Sequence, residues 1–246
     1  MLGLHRTILL LILVAASQLA SAASALTEHA LSVSQSMSAF YMYSLTDGDG
    51  RYQEDYQKYL AQADQSLAAY EKQDSLAAAE LKASWGKLRP NLKFDFVDGA
   101  GYIIPVPVRN DYRDYLSLVY KKIGEVIHRE SNLSEQLALM ALSVEVMSAR
   151  YFDISSALYG TMSISTNDSV DPTKMAKIFK QRLKKFENIK LAAAIKKDLG
   201  AVGRKWEFIE DKVTNYKGEA AFFLVYYNKR QISKLLGNSQ VKLAGA

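Results

Sequence analysis

Residues 133–161 read LSEQLALMALSVEVMSARYFDISSALYGT, which is the longest helical pattern in the sequence. Apolar or small side chains recur along it every three or four residues, at Leu137, Ala141, Val144, Ser148, Tyr151, Ser155 and Leu158. This spacing puts them on one face of an α-helix, as expected for a face that packs on a core. Asn132 and Glu135 stand in the order of a capping box, which predicts that the helix begins at Leu133.

Other stretches have the same character, so the chain is predicted to be all-α. They cover residues 26–45, 52–70, 76–88, 111–128, 175–186, 191–215 and 218–237. Gly and Pro are few, at 13 and 4 of 246 residues, whereas a sandwich or barrel would need many turn residues. Asp47-Gly-Asp-Gly50 is interpreted as a turn between helices, because a calcium loop starting there would place Lys58 where its bidentate acid belongs.

Residues 94–108 are the least helical part of the sequence. Apolar side chains alternate there with Asp98-Gly-Ala-Gly101, Pro105 and Pro107. The pattern favours an irregular apolar linker packed on the bundle, and a short strand pair is the alternative. A good helix start follows much later in the chain, at Asp171-Pro172.

The two halves of the sequence resemble each other. Met37-Ser-Ala-Phe-Tyr41 matches Met147-Ser-Ala-Arg-Tyr151, and Trp85 has a counterpart in Trp206. These ordered matches predict two tandem antiparallel four-helix-bundle units, or one elongated bundle. The predicted units comprise residues 26–93 plus 109–130 and residues 131–238, separated by the linker 94–108 and followed by a flexible tail, 239–246.

The first 25 residues are typical of a secretory signal peptide. Arg6 supplies the positive charge, Ile8–Ala16 is an apolar run, and Ala20-Ser-Ala22 and Ala23-Ser-Ala25 offer cleavage sites. The run is too short to cross a bilayer. We therefore expect a periplasmic protein that does not span the membrane, with an uncleaved N-terminal anchor as the alternative. Because the chain has no cysteine, its stability must come from packing rather than from disulfides.

The sequence offers little chemistry for catalysis. Of the 3 histidines, only His29 and His128 lie beyond the predicted signal, and they form no paired motif. The motifs of serine hydrolases, zinc proteases, phosphate-binding loops and dinucleotide-binding folds do not occur. We therefore expect a protein that is not an enzyme, with no catalytic residue, no metal site and no cofactor.

Positive charge is concentrated in residues 171–205, which carry 11 basic and 3 acidic side chains. Lys177, Lys180, Lys184 and Lys185 are predicted to form a basic contact surface for an acidic partner or headgroup. The alternative is an ordinary solvated helix face. Nucleic acid is not an expected partner, because the run lacks interleaved stacking aromatics.

Arg150 lies in the middle of the longest helical pattern, beside its apolar stripe. A buried guanidinium is costly unless it is paired. Asp153, three residues further on, could pair with it locally. Alternatively, Arg150 could bind a small anion, or face a homodimer interface, together with Met147, Ser148 and Tyr151.

The stretch Glu145-Val-Met-Ser-Ala-Arg150 is similar to a motif that ends in Arg-Met-x-Ser-x-Arg. Glu145 stands where the motif has its first Arg. On this stretch and the helix order, residues 135–237 resemble the N-terminal periplasmic sensor domain of type IV pili methyl-accepting chemotaxis transducers, which is related to nitrate/nitrite sensor domains. A fainter copy covers 27–130.

The resemblance implies a periplasmic four-helix bundle that works in signal transduction. Its expected partners are a small anion or a membrane sensor or chemoreceptor protein, and Arg150 is the residue that carries over. The alternative expectation is a structural or interaction scaffold of the cell envelope, or an accessory protein of secretion or pili.

Overall fold

Helices make up most of the described chain. The computed structural model describes residues 2–126, 132–157, 170–215 and 221–245, and the side chains of all of these except 2–23 and 125–126. The helices within these ranges are α1 (Leu2–Leu45), α2 (Gly50–Gln73), α3 (Ser75–Leu88), α4 (Val106–Val126), α5 (Leu133–Ser155), α6 (Pro172–Glu187), α7 (Ala193–Asn215) and α8 (Phe222–Ala244). The predicted all-α class is confirmed.

Two helices begin at the side chains that the sequence identifies. The Asn132 carboxamide oxygen accepts from the backbone N–H of Glu135 at 2.9 Å, and the Glu135 carboxylate accepts from the N–H of Asn132 at 3.2 Å. This capping box starts α5. Asp171 accepts from the N–H of Lys174 at 3.1 Å, and Pro172 is the first residue of α6. Both predicted helix starts are confirmed.

Residues 94–108 include a strand pair and the first residues of α4, so the alternative of a short strand pair is confirmed in place of the irregular linker. Strand β1 (Asp95–Val97) pairs antiparallel with β2 (Gly101–Ile103). Helix α4 then begins at Val106, earlier than the predicted unit boundary at 109. Pro107 is compatible with this start, because the first turn of a helix does not use all of its backbone N–H groups.

The hairpin lies against the turn that joins α1 to α2. Gly48 has a φ of +89°, and a Cβ there would lie 2.5 Å from a ring carbon of Tyr102 on β2. Gly101 has a φ of +73°, and a Cβ there would overlap the Asp47 carboxylate. Both glycines are therefore required by backbone conformation and by close approach. The predicted helix–helix turn at Asp47–Gly50 is also present.

One hydrophobic core extends through both halves of the chain. Helix α1 packs on α2, α4 and α5, while α5 packs also on α8, and α8 on α7. Helix α3 contacts α2 and α4, and α6 contacts α5 and α7. The buried apolar residues of all these helices form a single cluster. Within the described chain the halves therefore share one core, and the proposed duplication stays a prediction.

The ends of the chain differ in part from the expectations. The flexible tail predicted at 239–246 is helical as far as Ala244, because Ser239 is buried and Leu243 packs against the core. The predicted signal, residues 1–25, overlaps the first part of α1. Helix α5 ends at Ser155, and the predicted continuation to residue 161 lies largely outside the described residues. Among the described helices, none has both the length and the apolar character of a membrane span.

Candidate functional site

Arg150 belongs to a buried cluster centred on the carboxylate of Asp153. Its guanidinium lies 3.0 Å from Asp153, so the local ion pair that the sequence suggested is present. Two arginines of α4 reach the same carboxylate: Arg113 at 2.5 and 2.9 Å and Arg109 at 3.2 Å. Asp153 is fully buried, and each of the three guanidinium side chains is at most 10% exposed.

Arg109 also holds the C-terminal end of α5. It donates to the Asp153 carbonyl oxygen at 2.9 Å, to the Ser156 hydroxyl at 2.8 Å and to the Ser156 carbonyl oxygen at 2.6 Å. A cation at a helix C-terminus is favourable, because the last carbonyl groups there have no intrahelical donor. The other face of Arg109 lies 5.1 Å from the ring centre of Tyr41, and burial raises the pKa of that phenol well above its ordinary value. The cluster therefore ties α4 and α1 to the end of α5.

The three predicted neighbours of Arg150 are buried in different surroundings. Met147 is in the core and is fully buried. Ser148 is also buried, and its hydroxyl has no hydrogen-bond partner among the described residues. The Tyr151 hydroxyl accepts from the backbone N–H of Ala221, at the start of α8, at 2.9 Å. Binding of a small anion by these residues stays a prediction.

A second buried ion pair joins α5 to α8, and sequence reasoning missed it. The Lys229 ammonium lies 2.5 Å from the Glu145 carboxylate, and both side chains are fully buried. Ser233 donates to the other oxygen of Glu145 at 2.7 Å. Burial lowers the pKa of Lys229, and the charge of Glu145 opposes that shift. The available signal was Glu145, a single charged residue inside an apolar run, which stands where the resembling motif has an arginine. Lys229 gave no such signal, because it lies in the polar stretch Asn228-Lys-Arg-Gln231.

His29 is buried between α1, α2 and α4 and is held neutral. Its Nδ1 lies 2.9 Å from the carbonyl oxygen of Ala63, and its Nε2 lies 2.6 Å from the hydroxyl of Tyr115. Because a carbonyl oxygen only accepts, Nδ1 donates and Nε2 accepts from the tyrosine. Burial lowers the pKa of His29 from 6.5 to about 4. Both nitrogens are therefore engaged, which favours a structural role for this residue.

Most of the predicted basic surface lines one open groove between α6 and α7. Lys177, Lys180 and Lys184 face a volume of about 460 Å³. The opposite wall includes Glu210, whose carboxylate lies 3.2 Å from the Lys180 ammonium. Lys185 is exposed on the same helix but does not line the groove. We call this feature the basic groove.

The lysines of the basic groove lie on α6, and the opposite face of this helix packs in the core. Phe179 and Phe186 are fully buried beneath α6, and the Phe179 ring lies 4.7 Å from the ring of Trp206 on α7. An apolar face with this spacing leaves the lysines of α6 on the solvent side. The position of the lysines is therefore set by core packing rather than by their own contacts.

The described residues contain no group of three His, Asp or Glu side chains that could hold a metal ion. Comparison of the chain with known protein families, with curated proteins and with solved structures found no match. Functional inference for this protein therefore depends on the chemistry of its own side chains.

Proposed function

We propose that this protein is an exported, non-enzymatic interaction module that binds an acidic segment of a partner protein in the basic groove. The single observation that carries the proposal is the groove itself, in which three exposed lysines of one rigid helix line one concave surface. Export to the periplasm is part of the proposal, because residues 1–25 have the order of a signal peptide.

The charge balance of α6 supports an acidic partner. The helix carries six basic side chains and one acidic side chain. Among the described residues, only Lys180 of the groove lysines has a salt bridge, and its partner Glu210 is on the opposite wall. Lysines concentrated on one surface create a positive potential that attracts anionic groups and accelerates association.

The shape of the groove favours a peptide segment over a flat lipid surface. The lysines line a concave volume together with short polar side chains, namely Thr173, Gln181, Thr214 and Asn215. A membrane-binding face instead combines basic residues with a continuous row of large apolar side chains. Ile178 is the one large apolar side chain of α6 that is substantially exposed among the described residues. Given the resemblance to chemotaxis transducers, we propose a membrane sensor protein as the source of the acidic segment.

Titration with a deca-glutamate peptide tests the proposal. The triple variant Lys177→Glu, Lys180→Glu, Lys184→Glu is expected to lose at least about tenfold in affinity, because each lost charge pair near the surface contributes up to about 1 kcal/mol. The matched control reverses Lys190, Lys196 and Lys197, which are exposed outside the groove, and changes the net charge equally. Equal loss in both triple variants, or no peptide binding by the wild type, would contradict a specific groove.

Export is tested separately by fractionating cells and sequencing the N-terminus of the mature protein. Cleavage at one of the two predicted sites yields a chain that begins at Ala23 or Leu26. A cytoplasmic protein that still begins at Met1 would contradict export and leave the groove measurement unaffected.

Binding of a small anion near Arg150 is a second candidate, favoured by the three guanidinium groups that converge at Asp153. Planar anions suit bidentate guanidinium geometry. Nitrate, nitrite or acetate is expected to raise the melting temperature above that in equal chloride, because ligand binding stabilises the native state. If no anion exceeds chloride, or if Arg150→Ala keeps the full shift, this candidate is excluded.

A further inference from the structure

A partly enclosed cavity lies between the middle of α1, the N-terminal end of α5 and the C-terminal end of α8, away from the Asp153 cluster. Its volume is about 330 Å³. This is at the lower end of the range of small-molecule sites, which are about 300–1,000 Å³. Leu31, Ala138 and Leu139 contribute apolar walls, and Gly237 of α8 forms part of the opposite side. The cavity therefore has the size and the mostly apolar lining of a site for a small organic molecule.

The charged groups of this cavity are all acidic. Glu28 of α1 and Glu135 of α5 line it, and no Lys, Arg or His does so among the described residues. Neither glutamate has a salt bridge to another described residue, although the protein as a whole has an excess of basic side chains. An oxygen of Glu135 accepts from the capping N–H of Asn132, and Glu28 accepts a long 3.5 Å bond from the Ser24 hydroxyl.

Two carboxylates that form no salt bridge within the described part of the chain, beside an apolar space, favour a cationic ligand. Charge-assisted hydrogen bonds from an ammonium group to carboxylates are about twice as strong as bonds between neutral groups. The described lining has no aromatic side chain. Quaternary ammonium ligands are typically held by aromatic cages, so this lining is better suited to a primary amine with N–H donors.

We propose that this cavity binds a small primary amine with an aliphatic body. The ammonium group donates to Glu28 and Glu135, and the carbon chain lies against Leu31, Ala138 and Leu139. None of the described residues that line it belongs to α6 or α7, so the site is separate from the basic groove.

Gly237 supplies the sharpest test, because a Cβ built at this position meets no atom within 4 Å. Gly237→Leu therefore extends a side chain into open space from a wall of the cavity. It also removes a helical glycine, which is favourable by about 0.5–1 kcal/mol. Gly86→Leu is the matched control, since Gly86 is an exposed glycine of α3 whose Cβ would equally meet nothing. Both variants are expected to fold and to melt at or above the wild-type temperature.

The experiment is calorimetric titration of the purified protein with pentylamine, with pentanol and pentanoate as neutral and anionic comparators. We expect the wild type and Gly86→Leu to bind pentylamine alone, and Gly237→Leu to lose at least about tenfold in affinity. The double variant Glu28→Gln, Glu135→Gln is expected to lose about tenfold or more, the usual effect of removing hydrogen bonds to a charged group. Gln at position 135 still supports the capping box.

Three results would overturn the proposal. One is the absence of pentylamine binding to the wild type. Another is binding of pentanol with equal affinity, which would leave no role for the carboxylates. The third is wild-type affinity in both Gly237→Leu and the double glutamine variant, which would place the amine elsewhere on the protein. The first two results need only the wild type, so they are readable whether or not the variants fold.

Discussion

Replacement of Lys229 by methionine is expected to destabilise the protein, because it removes one partner of the buried ion pair between α8 and α5. Methionine keeps most of the volume of the side chain and removes the ammonium group, so Glu145 remains fully buried with Ser233 as its hydrogen-bond donor. Removing one partner of a buried pair costs about 3–5 kcal/mol. For a protein of this size, each kcal/mol corresponds to about 2–4 °C, so the melting temperature should fall by about 6–20 °C.

The unpaired Glu145 carboxylate makes the stability of Lys229→Met depend on pH. Without Lys229, no ammonium group remains beside the buried Glu145 carboxylate, and burial disfavours its ionised form. The unfolded state then loses the proton of this carboxyl group more readily than the native state, so the destabilisation should be larger at pH 8 than at pH 5. A variant that had merely lost packing would show the same loss at both values.

Urea unfolding followed by circular dichroism measures these free energies. The second variant in the cycle is Lys229→Met with Glu145→Gln, in which no charge is stranded, and it should be more stable than Lys229→Met alone. Lys234→Met, an exposed position on the same helix, serves as the control and should change stability by less than about 0.5 kcal/mol. A loss below about 1 kcal/mol in Lys229→Met, or a double variant less stable than the single one, would refute the reasoning.

Three further predictions concern other buried contacts. Because the pKa of His29 is about 4 when folded and about 6.5 when unfolded, the unfolded state alone gains a proton as the pH falls through this window. Stability should therefore fall by about 2 kcal/mol between pH 7.5 and 5; the same loss in His29→Gln, measured by urea unfolding, would contradict this assignment. Asp153→Asn leaves three buried guanidinium groups without their shared carboxylate and should lower the free energy of unfolding by about 3–5 kcal/mol in the same assay. A melting temperature within 2 °C of wild type would contradict this expected loss. Gly101→Ala should lower the melting temperature, because its φ is +73° and its Cβ would overlap Asp47, and it should do so more than Gly99→Ala, where φ is +75° but the space is open; equal losses would remove the steric argument.

Much of the fold follows from local patterns in the sequence. The capping box at Asn132 and Glu135 and the Asp171-Pro172 start are contained within four residues, so reading them needs no tertiary information. The hairpin was harder to predict, because its strands are only three residues long and its apolar side chains also suit a packed linker. The prediction of a flexible tail at 239–246 failed for a related reason, since α8 continues to Ala244. Whether residues 239–244 are helical depends on a core surface that α5 and α7 provide.

The sites were less predictable than the helices, because they depend on contacts between distant residues. The position of Arg150 indicated a local pair with Asp153, whereas Arg109 and Arg113 reach that carboxylate from 44 and 40 residues away. Glu145 and Lys229 are separated by 84 residues. The basic groove was anticipated in part, because its lysines follow a helical period on one element.

The buried polar contacts explain why the two halves form one body. Apolar stripes tolerate sliding of one helix along another, since dispersion contacts are individually small and have no direction. Ion pairs and hydrogen bonds have narrow ranges of distance and angle, and a buried group that loses its partner is costly. Lys229 with Glu145 fixes α8 on α5, and the Asp153 cluster fixes α4 on α5. Asp55 accepts from Tyr226 at 2.8 Å, which joins α2 to α8 across the halves. Because each contact links a different pair of helices, together they select one register of the bundle among those that the apolar stripes alone would allow.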